Sequence, residues 1–235
     1  SDLFMYIGHN LEGFVTKAEP ILEGEGVVKA AIGERIDLDH AASVDEEEHD
    51  HDHEEDSSHQ HGDVDPHIWL DPALMAEMGE QVTQELAALK PDQKAYFEEN
   101  NKQLEAKLTE LDTAFKETID RSPKNEIIVS HAAYGYWENR YGIEQIAVSG
   151  LSSSSEPSQK QLTNIMKTAK EHHLKYVLTE QNVSSKLTET IQKELGAEAL
   201  QLHNLSVLTE NDEKNGEDYF SLMEENRKTL EKALK

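Results

Sequence analysis

Glu126-Ile127-Ile128-Val129-Ser130-His131 is an apolar strand-like run that ends on a histidine, and the pattern around it decides the fold. Further strand-like runs at 145–149, 175–179 and 199–203 alternate with helical patterns at about 133–141, 158–173, 184–195 and 216–234. Strands alternating with helices predict an α/β unit whose parallel sheet is covered on both faces. The helix after Pro157 opens with a capping box, Ser158-Gln159-Lys160-Gln161, which satisfies free backbone N–H groups at its start. Ligands of such sheets bind outside the C-terminal ends of the strands. His131, Ser149-Gly150, Glu180 and the segment after His203 therefore occupy the positions where chemistry is expected.

Upstream, a long amphipathic pattern covers 91–121, with Phe97, Leu104, Leu108, Leu111, Phe115 and Ile119 on one stripe. About thirty residues at 1.5 Å each give a helix of roughly 45 Å, more than one lobe needs, so it reads as a rigid spine between two lobes. Before it, Asp65-Pro66-His67-Ile68-Trp69-Leu70-Asp71-Pro72 is extended by its prolines. Asp71 and Pro72 are placed to start a helix whose apolar positions are Met75, Met78, Val82, Leu86 and Leu89. The chain opens on a βαβ-like run: a strand from Ser1 to Gly8, a helix around Leu11, Phe14, Ala18 and Leu22, and an apolar segment at 27–32. The expected architecture is two α/β lobes with parallel sheets, joined by one long rigid helix. The N-terminal lobe covers 1–90, the spine 91–121 and the C-terminal lobe 122–235. Because domains rarely begin inside a core strand, the N-terminal lobe is expected to be incomplete in this sequence.

The 235 residues hold 22 Lys and Arg against 48 Asp and Glu, with 12 His and no Cys, for a net charge of −26. Such a charge repels nucleic acid and anionic membranes and leaves cations as partners. Without Cys there is no thiolate site, so imidazole and carboxylate are the strong ligands available. Residues 45–65 alone carry eleven acidic residues, five histidines and no base. This composition cannot offset chain entropy by burial and predicts a disordered loop, placed at 41–64. An acidic loop that merely aids solubility does not account for the alternation His49-Asp50-His51-Asp52-His53. Imidazoles with an ordinary pKa of about 6.5 are mostly neutral near pH 7 and can bind metal. Calcium fits poorly, since an EF-hand count from Asp50 puts Glu55 at the glycine position and His61 at the glutamate position. His49, His51, His53, His59 and His61 are read as an auxiliary, weak zinc collector.

His131 at the mouth of the sheet and His67 in an extended apolar segment are each, taken singly, more often structural histidines. They gain meaning together, if a cleft between lobes brings them face to face. Glu171-His172-His173 is only superficially like the His-Glu-x-x-His of zinc hydrolases and falls on a surface helix. Tyr134, Trp137 and Tyr141 recur at helical spacing and read as packing at the lobe interface. Ser152-Ser153-Ser154-Ser155 lacks the glycines and lysine of a phosphate cradle and reads as a loop.

The segments 65–72, Ser-His-Ala-Ala-Tyr-Gly-Tyr-Trp at 130–137 and Arg140-Tyr141-Gly142, with the acidic His-rich loop, resemble the metal-binding solute receptors of bacterial ABC importers. The zinc-uptake branch, ZnuA- or AdcA-like, is the most similar, and the resemblance covers essentially the whole chain. It implies that a metal sits between two lobes on His67 and His131, with a third histidine upstream of Ser1. His9 and Glu12 do not occupy that third position and read as structural. Some zinc-type relatives have a carboxylate where Ser206 stands, which leaves Glu180, Glu210 or water as the possible fourth ligand. Imidazole at 131, where the manganese branch has a carboxylate, favours Zn2+ as the transported ion. The resemblance also implies an ABC permease membrane subunit as partner, no enzymatic activity, and an extracytoplasmic place as a membrane-attached lipoprotein or periplasmic protein. A monomer is expected. The alternatives are a receptor for another divalent metal such as Mn2+, a metal-dependent adhesion protein, and a zinc hydrolase.

Overall fold

A computed structural model describes residues 1–38, 64–151, 157–181 and 186–235. The loop expected at 41–64 and the serine run from Ser152 to Ser155 lie outside the described residues, apart from Val64.

The alternation of the last third builds a four-stranded parallel sheet from β3 (Glu126–His131), β4 (Glu144–Ser149), β5 (Tyr176–Thr179) and β6 (Glu198–Gln201), in the order β4-β3-β5-β6. Side chains alternate across it. Ile127, Val129 and Leu178 enter a core with Phe115, Trp137, Leu202 and Met223, and Ile128 and Val177 enter a second core with Val148, Ile165 and Ile191. The first core lies under α4 (Gly135–Tyr141) and α8 (Tyr219–Ala233), and the second under α5 (Gln159–Glu171) and α6 (Lys186–Leu195). From β3 the chain crosses to β4 on one side and later returns to β5 on the other. That reversal opens a crevice at the end of β3, where His131 lies, its register partner on β4 being Ser149. A further short helix, α7 (Glu210–Asn215), has no apolar period to announce it and is started by the capping box of Thr209 and Asp212.

The expected spine is a 3-10 turn at Pro91–Gln93 followed by α3 (Lys94–Asp120), 27 residues long and thus about 40 Å. Its second half, through Leu108, Leu111, Phe115 and Ile119, is buried, whereas Phe97 and Leu104 are half-buried where α3 runs beside α2 (Pro72–Leu89). Asp71 caps α2 as its sequence position requires, its Oδ1 accepting from Ala73 N at 2.8 Å and Leu74 N at 3.3 Å. Leu74 and Met78 pack with Ala30, Ile32, Ile36, Ile68 and Tyr136 in the N-terminal core.

That core also rests on β1 (Leu3–Tyr6) and β2 (Val28–Ala31), a parallel pair joined through α1 (Val15–Gly24). The helix expected around Leu11 starts only at Val15, because Gly8, His9 and Asn10 all have positive φ and turn the chain first. Its apolar residues are divided: Val15 is buried and Ala18 and Leu22 half-buried, whereas Ile21 is 69% exposed, as is Phe14, just before the helix, at 59%.

The two halves meet in the 3-10 turn Ile68–Leu70. Ile68 and Leu70 are both fully buried, yet Ile68 belongs to the N-terminal core and Leu70 to the C-terminal one. A segment too apolar for an idle loop is thus the seam of the molecule.

Candidate metal centre

The seam positions His67. Pro66 keeps Asp65 extended, and one oxygen of Asp65, Oδ1, accepts from both the His67 backbone N–H at 3.0 Å and the His67 Nδ1 at 2.7 Å. Three aromatic donors from α4 and α8 hold the backbone of the segment. Tyr136 OH bonds to the Asp65 carbonyl, Trp137 Nε1 to the Leu70 carbonyl at 2.8 Å and Tyr219 OH to the Trp69 carbonyl at 2.9 Å. Gly135 lets Asp65 come close, since a Cβ there would sit 3.0 Å from Asp65 Oδ2. Tyr134, Trp137 and Tyr141, read as packing, are all buried in the C-terminal core, and Trp137 also reaches the seam through its bond to Leu70.

His131 comes from the end of β3. Its Nδ1 bonds to Oε1 of Glu180, which follows the adjacent strand β5. The same oxygen accepts from Ser130 Oγ at 3.3 Å, and Oε2 accepts from Asn204 Nδ2 at 2.6 Å. Asp65, His67, His131 and Glu180 are all buried.

Each imidazole therefore has a carboxylate on its Nδ1, which places the ring proton there and leaves the lone pair on Nε2. The two Nε2 atoms face each other at 3.4 Å. Two Zn–N bonds of about 2.0–2.1 Å at the tetrahedral angle hold their nitrogens about 3.3–3.4 Å apart. The observed spacing matches a shared zinc ion, and the donor set is the one nitrogen-loving divalent metals prefer. Among the described residues no cluster of three potential ligands is present; two imidazoles supply half of the four ligands that zinc takes in a tetrahedral site.

Of the other candidates, Glu180 is brought to the site on the Nδ1 side of His131, with both oxygens already bonded. Glu210 is exposed at the start of α7 and pairs with Lys214 at 3.5 Å. Ser206 is exposed, and its Oγ donates to Asn204 Oδ1 at 2.8 Å. Glu12 accepts from the backbone N–H groups of Ile7 at 2.7 Å and Gly8 at 3.0 Å, a structural role, and His9 stands in the adjacent turn. His172 is an exposed residue at the end of α5, bonded to Glu126. The auxiliary histidines His49, His51, His53, His59 and His61 lie outside the described residues. Sequence reasoning did not single out Asp65, Asn204, Trp69 or Gly135. Asp65 alone had a local signal, a carboxylate two residues before a histidine.

Burial shifts several groups near the site. It pushes the Tyr134 hydroxyl well up, aided by the charge of Glu180, and holds His203 below the usual histidine value against the opposing pull of Asp212. Asp71 is pushed up to about 6 by burial and a small repulsion from Asp112, opposed by Arg140 and its own cap bonds.

The chain is also similar to known proteins. The chain is 36% identical over 234 residues to the high-affinity zinc uptake system protein ZnuA of Bacillus subtilis, covering all of this chain and 72% of that protein. The Zn(II)-bound ZnuA-like domain of Streptococcus pneumoniae AdcA superposes with a TM-score of 0.76 at 32% identity, covering all of this chain and 80% of the domain. Against the whole zinc-binding lipoprotein AdcA the chain spans 46% of the length. The laminin-binding protein Lmb of Streptococcus agalactiae, described as bifunctional with adhesin and metal transporting activity, gives a TM-score of 0.82 at 25% identity, covering all of this chain and 81% of Lmb. The family described as the periplasmic component A of the zinc-uptake complex matches residues 1–233, and with the paired imidazoles in place the chain belongs to this ZnuA family.

Proposed function

We propose that this chain captures Zn2+ between its lobes on Nε2 of His67 and His131 and delivers it to the membrane permease of an ABC importer, outside the cytoplasm. The observation that carries the reading is the pair of buried Nε2 atoms 3.4 Å apart, each set by a carboxylate on Nδ1. Zinc is cargo here and must leave, so a receptor needs oriented ligands and no reacting group. We assign the chain no reaction. We divide it as a lobe at 1–90, a spine at 91–121 and a lobe at 122–235, acting as a monomer, with the histidines of 41–64 collecting zinc weakly beside the cleft.

The test is zinc affinity, by competition with a chromogenic chelator, for the wild type, His67→Ala and His131→Ala. Each substitution is expected to weaken binding beyond the roughly 10–100-fold that follows loss of a ligand's hydrogen-bond partner. Unchanged affinity in either variant removes that residue from the site. Adhesion is a second reading, favoured by the likeness to Lmb. Binding to immobilised laminin that depends on bound zinc supports it, and no binding with or without zinc ends it.

A further inference from the structure

We infer that Asn204 is a positioning residue that sets the separation of His67 and His131, and through it the zinc affinity; the inference rests on the proposed zinc site. No hydrogen bond is found between Asn204 and either imidazole among the described residues. Asn204 instead joins the two segments that carry them. Its side-chain Nδ2 donates to Glu180 Oε2 at 2.6 Å, and Glu180 bonds to the Nδ1 of His131. Its backbone carbonyl accepts from the indole Nε1 of Trp69 at 2.8 Å, and the Trp69 ring packs on His67 with centroids 5.3 Å apart. Seam and sheet are thus tied to one residue.

The orientation of that residue is fixed from several sides. Ser206 N and Oγ both donate to Asn204 Oδ1, at 3.0 and 2.8 Å, so its amide nitrogen has to face Glu180. The preceding peptide is clamped by the buried Asn226, whose Oδ1 accepts from His203 N and whose Nδ2 donates to the His203 carbonyl, both at 2.7 Å. Leu205 follows at φ 58° and its N–H bonds to His203 Nδ1 at 2.8 Å. A non-glycine residue at positive φ costs energy and persists only where its surroundings hold it. This loop is therefore a built support whose outputs are Glu180 and Trp69.

The experiment compares the wild type with Asn204→Leu, Asn204→Asp, Trp69→Phe and the double variant of Asn204→Leu with Trp69→Phe. It measures Zn2+ affinity, the visible absorption of the Co2+-loaded protein, which reports ligand geometry, and melting of the apo-protein. Leucine removes the donor at similar size, and aspartate sets a carboxylate against Glu180. Both are expected to bind Zn2+ about 10–100-fold more weakly with an altered Co2+ spectrum. Trp69→Phe is expected to weaken binding too, and to add less than its own effect on top of Asn204→Leu, because both act through one support. Affinity within about threefold of wild type in both Asn204 variants overturns the inference. So does weaker binding with an unchanged Co2+ spectrum that follows a loss of apo stability. A wild type that binds no Zn2+ refutes the proposed function itself, which keeps the two failures apart.

Discussion

Replacing Glu180 with glutamine keeps the side chain's size and removes one acceptor. Glu180 takes three donors: the Nδ1 of His131 and Ser130 Oγ on Oε1, and Asn204 Nδ2 on Oε2. A glutamine offers one oxygen and an NH2 that only donates. With the oxygen toward His131, the NH2 opposes the Asn204 amide inside a buried site. With the oxygen toward Asn204, the NH2 faces Nδ1, the imidazole proton moves to Nε2, and an N–H stands where zinc has to bind. The apo-protein relaxes into the second arrangement, and zinc binding has to force the first. The cost of forcing it is that of one unsatisfied buried donor, about 1–3 kcal/mol. At about 1.4 kcal/mol per decade this is roughly a 5–150-fold weaker Kd. Chelator competition measures the Kd, apo melting shows that the fold survives, and imidazole 15N shifts report the tautomer. A Glu180→Gln protein that is folded and binds zinc within about threefold of wild type refutes the claim that Glu180 sets the His131 tautomer.

Three further outcomes follow from other parts of the molecule. Asp71 has its pKa raised from 3.8 to about 6 in the folded protein, so its contribution to stability is complete below about 3.8 and is lost as pH rises through about 6. Asp71→Asn keeps a good helix cap and cannot ionise; in urea unfolding the stability of the wild type relative to this variant is expected to fall by about 2 kcal/mol between about pH 4.5 and 7.5, and a flat difference contradicts the burial argument. Gly135→Ala puts a Cβ 3.0 Å from Asp65 Oδ2, displacing the carboxylate that orients His67; zinc affinity is expected to drop about three- to tenfold with apo melting nearly unchanged, and equal affinity shows that Asp65 tolerates the shift. Deleting 45–61, which leaves Asp65 in place, is expected to remove weak zinc sites in calorimetry and keep one tight site; loss of the tight site contradicts the auxiliary role of His49, His51, His53, His59 and His61.

The central strands of the C-terminal sheet, β3 and β5, were legible because strands buried on both faces are apolar, and helix starts in both halves are written in capping side chains such as Asp71 and Ser158. Apolar spacing placed the start of α1 too early, before the turn at Gly8, His9 and Asn10, and missed α7, whose six residues carry no period. His67 and His131 were legible for a similar reason: one ends a strand, and the other sits in a segment whose hydrophobicity a loop does not need. Their partners were hidden by distance along the chain. Glu180 is 49 residues from His131, and Trp69 is 135 residues from Asn204. What joins them is strand order, which spacing does not encode. With β5 beside β3, Glu180 lies one strand from His131, about 4.8 Å away in the direction of the ladder. Had β4 been inserted between them, the carboxylate would stand two strands off, roughly 10 Å away, beyond hydrogen-bond reach. His131 would then have no carboxylate from β5 to fix its tautomer, and Nε2 would have no assured lone pair for zinc. The crossover that places β5 next to β3 is thus as much a part of the proposed metal site as the histidine itself.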